Sequence, residues 1–162
     1  MGIKDQVSEE QWRALFNTPS AASAYVSLAS GRGLEIFNDM FSASKFIQNE
    51  AKHASNSGYG KMMDDFLIAI NSMSPKDARA DAITYKSKDL DSIRAEAKKI
   101  VAEGAAVASK ILEGNGYKRW VFDLALNIAE TKTGGFFGFG VRSVIDRNKQ
   151  VALSELAEIL GV

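Results

Sequence analysis

The segment from Tyr117 to about Lys132 is the feature that most constrains the fold of this chain. Apolar residues recur there at helical spacing and cover most of the helix surface, leaving one narrow polar stripe. The apolar face is made by Tyr117, Trp120, Val121, Leu124 and Ile128, widened by Phe122, Leu126 and Ala129. So apolar a helix must be covered by protein on most sides. The segment therefore predicts a central helix, with Trp120, Leu124 and Ile128 buried.

Start and stop signals for further helices follow one another along the chain. Ser8 and Gln11 form the S-x-x-Q pattern of a capping box, which predicts a short helix beginning there. Thr18 and Pro19 are typical of an N-cap followed by the first helical residue, and they predict a second helix that ends at Gly31. The remaining predicted helices cover about 34–53, 62–70, 75–85, 89–113 and 143–160.

These signals together predict an all-α fold, a compact array of seven to eight helices around the central helix. Gly104 lies inside one predicted helix and lowers its helix propensity, so we expect a close crossing by another helix there. No linker or internal repeat divides the 162 residues. Residues 1–162 are therefore predicted to form one domain.

The composition excludes several classes of function. The chain has no cysteine, which excludes disulfides, thiolate metal ligands and thiol redox chemistry. Lys and Arg number 20, as do Asp and Glu, so no net positive charge attracts nucleic acid. No stretch approaches the roughly 20 apolar residues of a membrane span. We therefore expect a cytoplasmic protein that does not bind nucleic acid.

Patterns that could support catalysis or metal binding are few. His53 is the single histidine, and we expect it near a helix C-terminus, where positive charge is favourable. Asp123, Asn127 and Glu130 share one helix face, where their oxygens could hold a hard cation. The ordinary alternative is a stripe that faces water or a neighbouring helix, and the lack of an E-x-x-H partner motif favours it. We predict no catalytic residues, no metal and no cofactor.

Residues 134–140, Gly-Gly-Phe-Phe-Gly-Phe-Gly, form the most unusual stretch. Glycines before a helix can cradle a phosphate, but the Walker lysine and a preceding strand are both missing from the sequence pattern. Burial in the core is one interpretation of the three phenylalanines. The other is contact with a partner or a membrane surface. On that second interpretation the candidate partner-binding residues are Phe136, Phe137 and Phe139.

The C-terminal third resembles the TerB-like family of tellurite-resistance proteins. The matching residues are Leu-Ala-Leu-Asn-Ile-Ala-Glu at 124–130, Ser-Val-Ile-Asp at 143–146 and Leu-Ala-Glu-Ile-Leu-Gly-Val at 156–162. The resemblance implies an all-helical array around a central helix. It also implies a non-enzymatic, cytoplasmic interaction or metal-sensing protein of the chemical-stress response, which associates with membranes. No catalytic residues come with it.

The chain departs from the family pattern where the family places acidic residues. The Asp of the family's Ala-Asp-Gly loop falls near Lys132 here, and Asp146 stands at the downstream Glu position. Because a lysine repels cations, we do not carry the family's metal site over. We also expect no reduction of tellurite by the chain itself, since it has no thiol and no dinucleotide-binding loop.

Three functional hypotheses follow from the sequence. The first is a TerB-like stress-response protein that presents helix faces or the Phe-rich stretch to an unidentified protein partner, with peripheral membrane association as a further option. The second is a small helical enzyme that uses carboxylates such as Asp123 and Glu130. The third is a helical scaffold whose homo-oligomer is its function.

Overall fold

The computed structural model describes residues 2–30, 60–72, 83, 85–86, 88–130 and 145–162. These residues form five α-helices and no β-strand, which confirms the all-α prediction for this part of the chain. The helices are α1 (Glu9–Ser27), α2 (Gly60–Ser72), α3 (Leu90–Ala108), α4 (Gly114–Glu130) and α5 (Arg147–Leu160). Short 3₁₀ turns at Lys4–Gln6 and Leu28–Ser30 flank α1. The predicted total of seven to eight helices is not confirmed. The two helices predicted on either side of Thr18 and Pro19 are one helix, and the helices expected over 34–53 and 75–82 lie outside the described residues. Residues 83 and 85, at the end of the second of these segments, are not helical.

The helix ends follow several of the sequence signals. The Ser8 hydroxyl accepts a hydrogen bond from the Gln11 N–H at 3.2 Å, and the Gln11 side chain accepts one from the Ser8 N–H at 2.9 Å, which confirms the capping box. Asp89 and Asp146 cap α3 and α5 in the same way, each accepting from the N–H three residues further on. Gly161 ends α5 with a φ of 70°, the left-handed conformation that favours glycine.

Three predicted helix boundaries are wrong. The helix predicted over 143–160 begins later, at Arg147, because Asp146 is its N-cap and Ile145 is not helical. The boundary predicted at Thr18 and Pro19 is the most informative. These residues do not begin a new helix, because α1 continues through both of them. Proline lacks an N–H, so Pro19 cannot donate to the Leu15 carbonyl four residues earlier. The Tyr117 hydroxyl, on α4, donates a hydrogen bond to that carbonyl oxygen at 2.6 Å. The buried helix therefore tolerates its proline because a neighbouring helix supplies the missing donor.

The third of these boundaries lies between α3 and α4. The break expected at residues 114–116 falls earlier, since α3 ends at Ala108 and α4 begins at Gly114. The five residues between them form a tight turn in which the Ile111 N–H donates to the Ala108 carbonyl at 3.1 Å. Gly114 and Gly116 therefore lie in the first turn of α4 and not between the two helices.

α1 and α3 form the most extensive helix pair, and Gly104 lies where they cross. A Cβ atom at this position would lie 1.7 Å from the Thr18 Oγ1 and 3.2 Å from the Ala14 carbonyl oxygen. A side chain would therefore collide with α1. The Thr18 hydroxyl donates to the Ala14 carbonyl at 2.7 Å, which holds it in the crossing. The close approach predicted at Gly104 is confirmed, and α1 is the helix that makes it.

The core is built around two helices. Trp120, Leu124 and Ile128 of α4 are all at most 2% exposed, as predicted. However, α1 and α4 pack against each other, and each also packs against α3 and α5. Tyr117 is completely buried between them, and burial raises the pKa of its hydroxyl well above the usual value, so the group remains a hydrogen-bond donor at all ordinary pH values. α4 therefore shares the central position with α1.

Removal of the Tyr117 hydroxyl should reveal how much it supports Pro19. We expect Tyr117→Phe to lower the free energy of unfolding by about 1–3 kcal/mol, because it leaves the buried Leu15 carbonyl without a donor. In a Pro19→Ala background the same change should cost less, because the alanine N–H can bond to that carbonyl. Denaturant melts of the four proteins give the comparison. An equal cost in both backgrounds would show that Tyr117 stabilises the core in another way.

Truncation of a central side chain should test the position of α4. We expect Leu124→Ala to cost about 2–5 kcal/mol of unfolding free energy, the usual range for a fully buried leucine. Asp123→Ala, one residue away and exposed, is the matched control and should change stability little. A loss well under about 1 kcal/mol for Leu124→Ala in denaturant melts would contradict the assignment of α4 to the core.

Candidate functional site

A cleft of about 480 Å³ opens between the N-terminal half of α1 and α2. Its volume lies within the range of roughly 300–1,000 Å³ that is usual for ligand pockets. The described residues that line it come from the first 3₁₀ turn, from α1 and from α2: Lys4, Glu9, Trp12, Arg13, Phe16, Asn17, Ala69 and Ser72. We call it the α1–α2 cleft.

Two aromatic side chains form the apolar part of this cleft. Trp12 and Phe16 lie one helical turn apart in α1, with ring centroids separated by 6.2 Å and ring planes tilted by 37°. Trp12 is only 7% exposed and Phe16 is half-buried. The small side chain of Ala69 lines the cleft from α2. The cleft therefore combines two aromatic side chains of α1 with a small side chain, Ala69, on the facing helix α2.

Charged side chains surround the aromatic wall. The Lys4 ammonium lies 5.9 Å from the centroid of the Trp12 ring, at the outer limit of a cation–π contact. Arg13 and Glu9 form an ion pair of 3.8 Å, with side chains that are 60% and 90% exposed. An exposed pair of this kind contributes little to stability. Its groups therefore remain accessible to a molecule that enters the cleft.

Carboxylates hold α2 in place opposite α1. The Asp65 carboxylate accepts a hydrogen bond from the Lys4 backbone N–H at 2.8 Å, which fixes the first 3₁₀ turn to α2. The Glu113 carboxylate accepts a hydrogen bond of 3.1 Å from the Met62 N–H in the first turn of α2. Negative charge at this end of a helix also interacts favourably with the helix dipole. Met62 itself is fully buried. Two carboxylate contacts and one buried apolar side chain thus connect α2 to the rest of the fold.

A second polar cluster joins α1, α3 and α5 away from the cleft. The Tyr25 hydroxyl donates to the Glu155 carboxylate, and the Lys98 ammonium lies 3.7 Å from the same carboxylate oxygen. The Arg94 guanidinium lies 4.5 Å from the centroid of the Tyr25 ring, and its Nε donates to the Tyr25 carbonyl at 3.3 Å. These groups satisfy one another, so the cluster connects helices instead of offering a ligand site.

The residues singled out in the sequence do not form an enclosed site in the described part of the chain. Asp123, Asn127 and Glu130 lie on the exposed face of α4, and Asp146 caps α5. Among the described residues, no group of three or more His, Cys, Asp or Glu side chains is placed to hold a metal ion. The candidate partner-binding residues Phe136, Phe137 and Phe139 lie outside the described residues, as do His53 and Lys132.

Sequence reasoning did not find the α1–α2 cleft. Trp12 and Phe16 show helical apolar spacing, which predicts that they face the core, and Trp12 is indeed largely buried. The cleft lies between α1 and α2, and a hydrogen bond between residues far apart in the sequence, from the Lys4 N–H to the Asp65 carboxylate, joins the first turn to α2. The only local signal was a glutamate and an arginine within one turn of Trp12, with Lys4 further towards the N-terminus.

Comparison of the chain with models of protein families, with curated proteins and with solved structures found no match. None of the five described helices has the length and apolar character needed to cross a membrane. The α1–α2 cleft is therefore the main structural basis for a functional proposal.

Metal binding by the remaining carboxylates should be weak. We expect Glu130 and Asp146 to bind calcium, magnesium or zinc no better than about millimolar, comparable to weak extracellular calcium modules. Asp146 is already engaged as a helix cap, which limits its use as a ligand. Calorimetry on the untagged protein measures the constants. A micromolar constant that disappears in Glu130→Gln or Asp146→Asn would contradict this prediction.

Proposed function

We propose that this protein is a non-enzymatic sensing and interaction protein of the TerB-like kind. In this proposal it acts in the cytoplasm during the response to chemical stress and binds a small ligand in the α1–α2 cleft. The cleft carries the proposal, because it brings two aromatic side chains and five polar or charged ones together around a volume that is usual for a ligand pocket. The resemblance of the C-terminal third to TerB-like proteins supplies the stress-response context.

The arrangement of charges favours binding over catalysis. Among the described residues that line the cleft, the ionisable ones are Lys4, Glu9 and Arg13, and the latter two are exposed and paired with each other. General acids and bases are usually made effective by burial or by a strongly perturbing neighbour. Asp123 and Glu130, the carboxylates of the enzyme hypothesis, are exposed on α4. The described residues therefore offer no enclosed pair of carboxylates to support that alternative.

The scaffold hypothesis has less support than the cleft. Large apolar side chains are exposed at Ile68, Leu112 and Val151, on α2, on the turn before α4 and on α5. Exposed apolar residues that occur singly are ordinary on protein surfaces. These exposed side chains lie on different elements, so they do not define one continuous apolar face for a second copy of this chain.

A neutral aromatic dye should test whether the cleft binds ligands. We expect N-phenyl-1-naphthylamine to bind the natural chain at one site, and Phe16→Ala to weaken binding about tenfold, the effect of roughly 1.4 kcal/mol of lost contact. Phe122→Ala is the matched control, because Phe122 is also half-buried but belongs to α4 and does not line the cleft. Dye fluorescence titrations measure both affinities.

The same variants carry the test into cells. A native strain that lacks this gene should grow less well on tellurite, and the Phe122→Ala copy should restore growth better than the Phe16→Ala copy. An equal loss of dye binding in both variants, or binding that is unchanged by Phe16→Ala, would overturn the assignment of the ligand to this cleft.

A further inference from the structure

We propose that Asn115 is a site of spontaneous deamidation, at which water converts the side-chain amide to a carboxylate in the native protein. This inference is independent of the α1–α2 cleft and of the proposed function. It rests on the dipeptide Asn115-Gly116, on the position of that dipeptide in α4 and on the charges around it. The reaction needs no partner other than water, and it adds one negative charge to the protein surface.

The residue that follows Asn115 is glycine, and this is the single Asn-Gly pair in the 162 residues. Deamidation begins when the backbone nitrogen of the following residue attacks the asparagine side chain. A side chain on that following residue hinders the attack, whereas glycine has none and also restricts the backbone least. Asn115 is therefore the asparagine of this chain with the most favourable neighbour for the reaction.

The fold leaves the reacting groups available. Asn115 is the second residue of α4, where it is exposed, and Gly116 is half-buried. The first N–H groups of a helix have no acceptor within that helix, and the Gly116 N–H donates to none of the described residues. The attacking nitrogen therefore loses no hydrogen bond when it reacts. Ring closure requires the Asn115 backbone to leave its helical conformation, and terminal turns open locally at little cost in free energy.

The chemistry has two steps. The Gly116 backbone nitrogen loses its proton to hydroxide and attacks the side-chain carbonyl carbon of Asn115. A carbon–nitrogen bond forms, and the side-chain nitrogen leaves as ammonia. Water then opens the resulting cyclic imide. Cleavage of the ring bond to the side-chain carbonyl gives aspartate at position 115, and cleavage of the ring bond to the main-chain carbonyl gives isoaspartate.

The charges around α4 favour the aspartate product. A carboxylate in the first turn of a helix interacts favourably with the helix dipole. Arg119 lies four residues further on, and an acidic residue four positions before a basic one is the better order for a helical ion pair. Arg119 is exposed and forms no ion pair with a described residue. The Glu113 carboxylate is bonded to the Met62 N–H, and residues two positions apart do not face each other on a helix.

Isoaspartate should have the opposite effect on the fold. It lengthens the backbone by one methylene group in the first turn of α4, two residues before Tyr117. The Tyr117 hydroxyl bonds to the Leu15 carbonyl, so a displaced first turn also disturbs the contact between α4 and α1. The aspartate form is therefore the product that the native fold accommodates.

Asn148 is a matched control within the same molecule. It is the second residue of α5 and is also exposed, but Lys149 follows it. In the full chain, kept folded at mildly alkaline pH, we expect Asn115 to lose its amide at least about tenfold faster than Asn148, a difference of roughly 1.4 kcal/mol in activation free energy. Peptide mapping by mass spectrometry follows both positions over time. Digestion in heavy-oxygen water marks any amide that is lost during the digestion itself.

Two variants test the steps separately. Gly116→Ala should slow the loss at Asn115 about tenfold, because it returns a side chain to the attacking residue, and should leave the rate at Asn148 unchanged. Asn115→Asp reproduces the favoured product and should raise the melting temperature by about 1–3 °C. The rise should be smaller in an Arg119→Gln background, which lacks the ion pair.

Several outcomes would overturn the proposal. Equal rates at Asn115 and Asn148 would do so, as would an unchanged rate in Gly116→Ala, or a loss of amide that occurs in denaturant but not in the folded protein. A lower melting temperature for Asn115→Asp would overturn the inference that the fold favours aspartate. Thermal melts show that each sample remains folded. The comparison of Asn115 with Asn148 needs no variant, so it decides the proposal even if Gly116→Ala does not fold.

Discussion

The hydrogen bond from the Tyr117 hydroxyl to the Leu15 carbonyl connects the two helices at the centre of the core and repairs the gap that Pro19 leaves in α1. Both helices depend on this hydrogen bond, because without it the buried Leu15 carbonyl would have no donor, which would lower the free energy of unfolding. An unbroken α1 in turn presents Thr18 to Gly104, where α3 crosses too closely to admit a side chain. The other end of α1 is tied to α3 and α5 by Tyr25 and the charged groups around it. The packing of the core thus depends on one proline-containing helix, α1, that continues through Pro19 and packs against α3, α4 and α5.

The local features of this fold could be predicted from the sequence, whereas features that depend on distant residues could not. Short-range patterns account for the capping box at Ser8 and for the end of the last helix before Gly161. The close crossing follows from a single residue, Gly104, because a glycine inside a helix otherwise only lowers its stability. Pro19 was assigned wrongly because a proline after a threonine looks the same at the start of a helix and inside one. In this chain the Tyr117 hydroxyl allows Pro19 to lie inside the helix, and no local sequence pattern connects Pro19 with Tyr117.

The candidate site was less predictable for the same reason. The aromatic spacing of Trp12 and Phe16 identifies one face of a helix, and burial in the core is the usual fate of such a face. Whether part of that face remains open depends on the position of α2. The backbone N–H groups of Lys4 and Met62 connect α2 to the rest of the fold by donating hydrogen bonds to the Asp65 and Glu113 carboxylates. Rules for ion pairs and helix caps describe residues that are close in the sequence. They give no information on the contacts of Asp65 and Glu113, whose partners are more than 50 residues away. The carboxylates that the sequence did bring together, on α4, face outward.

The long separation between Pro19 and its compensating tyrosine has a consequence for synthesis on the ribosome. Leu15 and Tyr117 are 102 residues apart, so at translation rates of about 5–20 residues per second the carbonyl waits roughly 5–20 s for its donor. During that interval α1 lacks its internal hydrogen bond at the proline, and α3 is completed only at Ala108, shortly before Tyr117. Gly104 leaves the ribosome shortly before Tyr117, so the surface that packs against α1 and the group that repairs it arrive almost together. The nascent N-terminal helix is therefore expected to stay frayed and accessible to chaperones until most of the chain has been made.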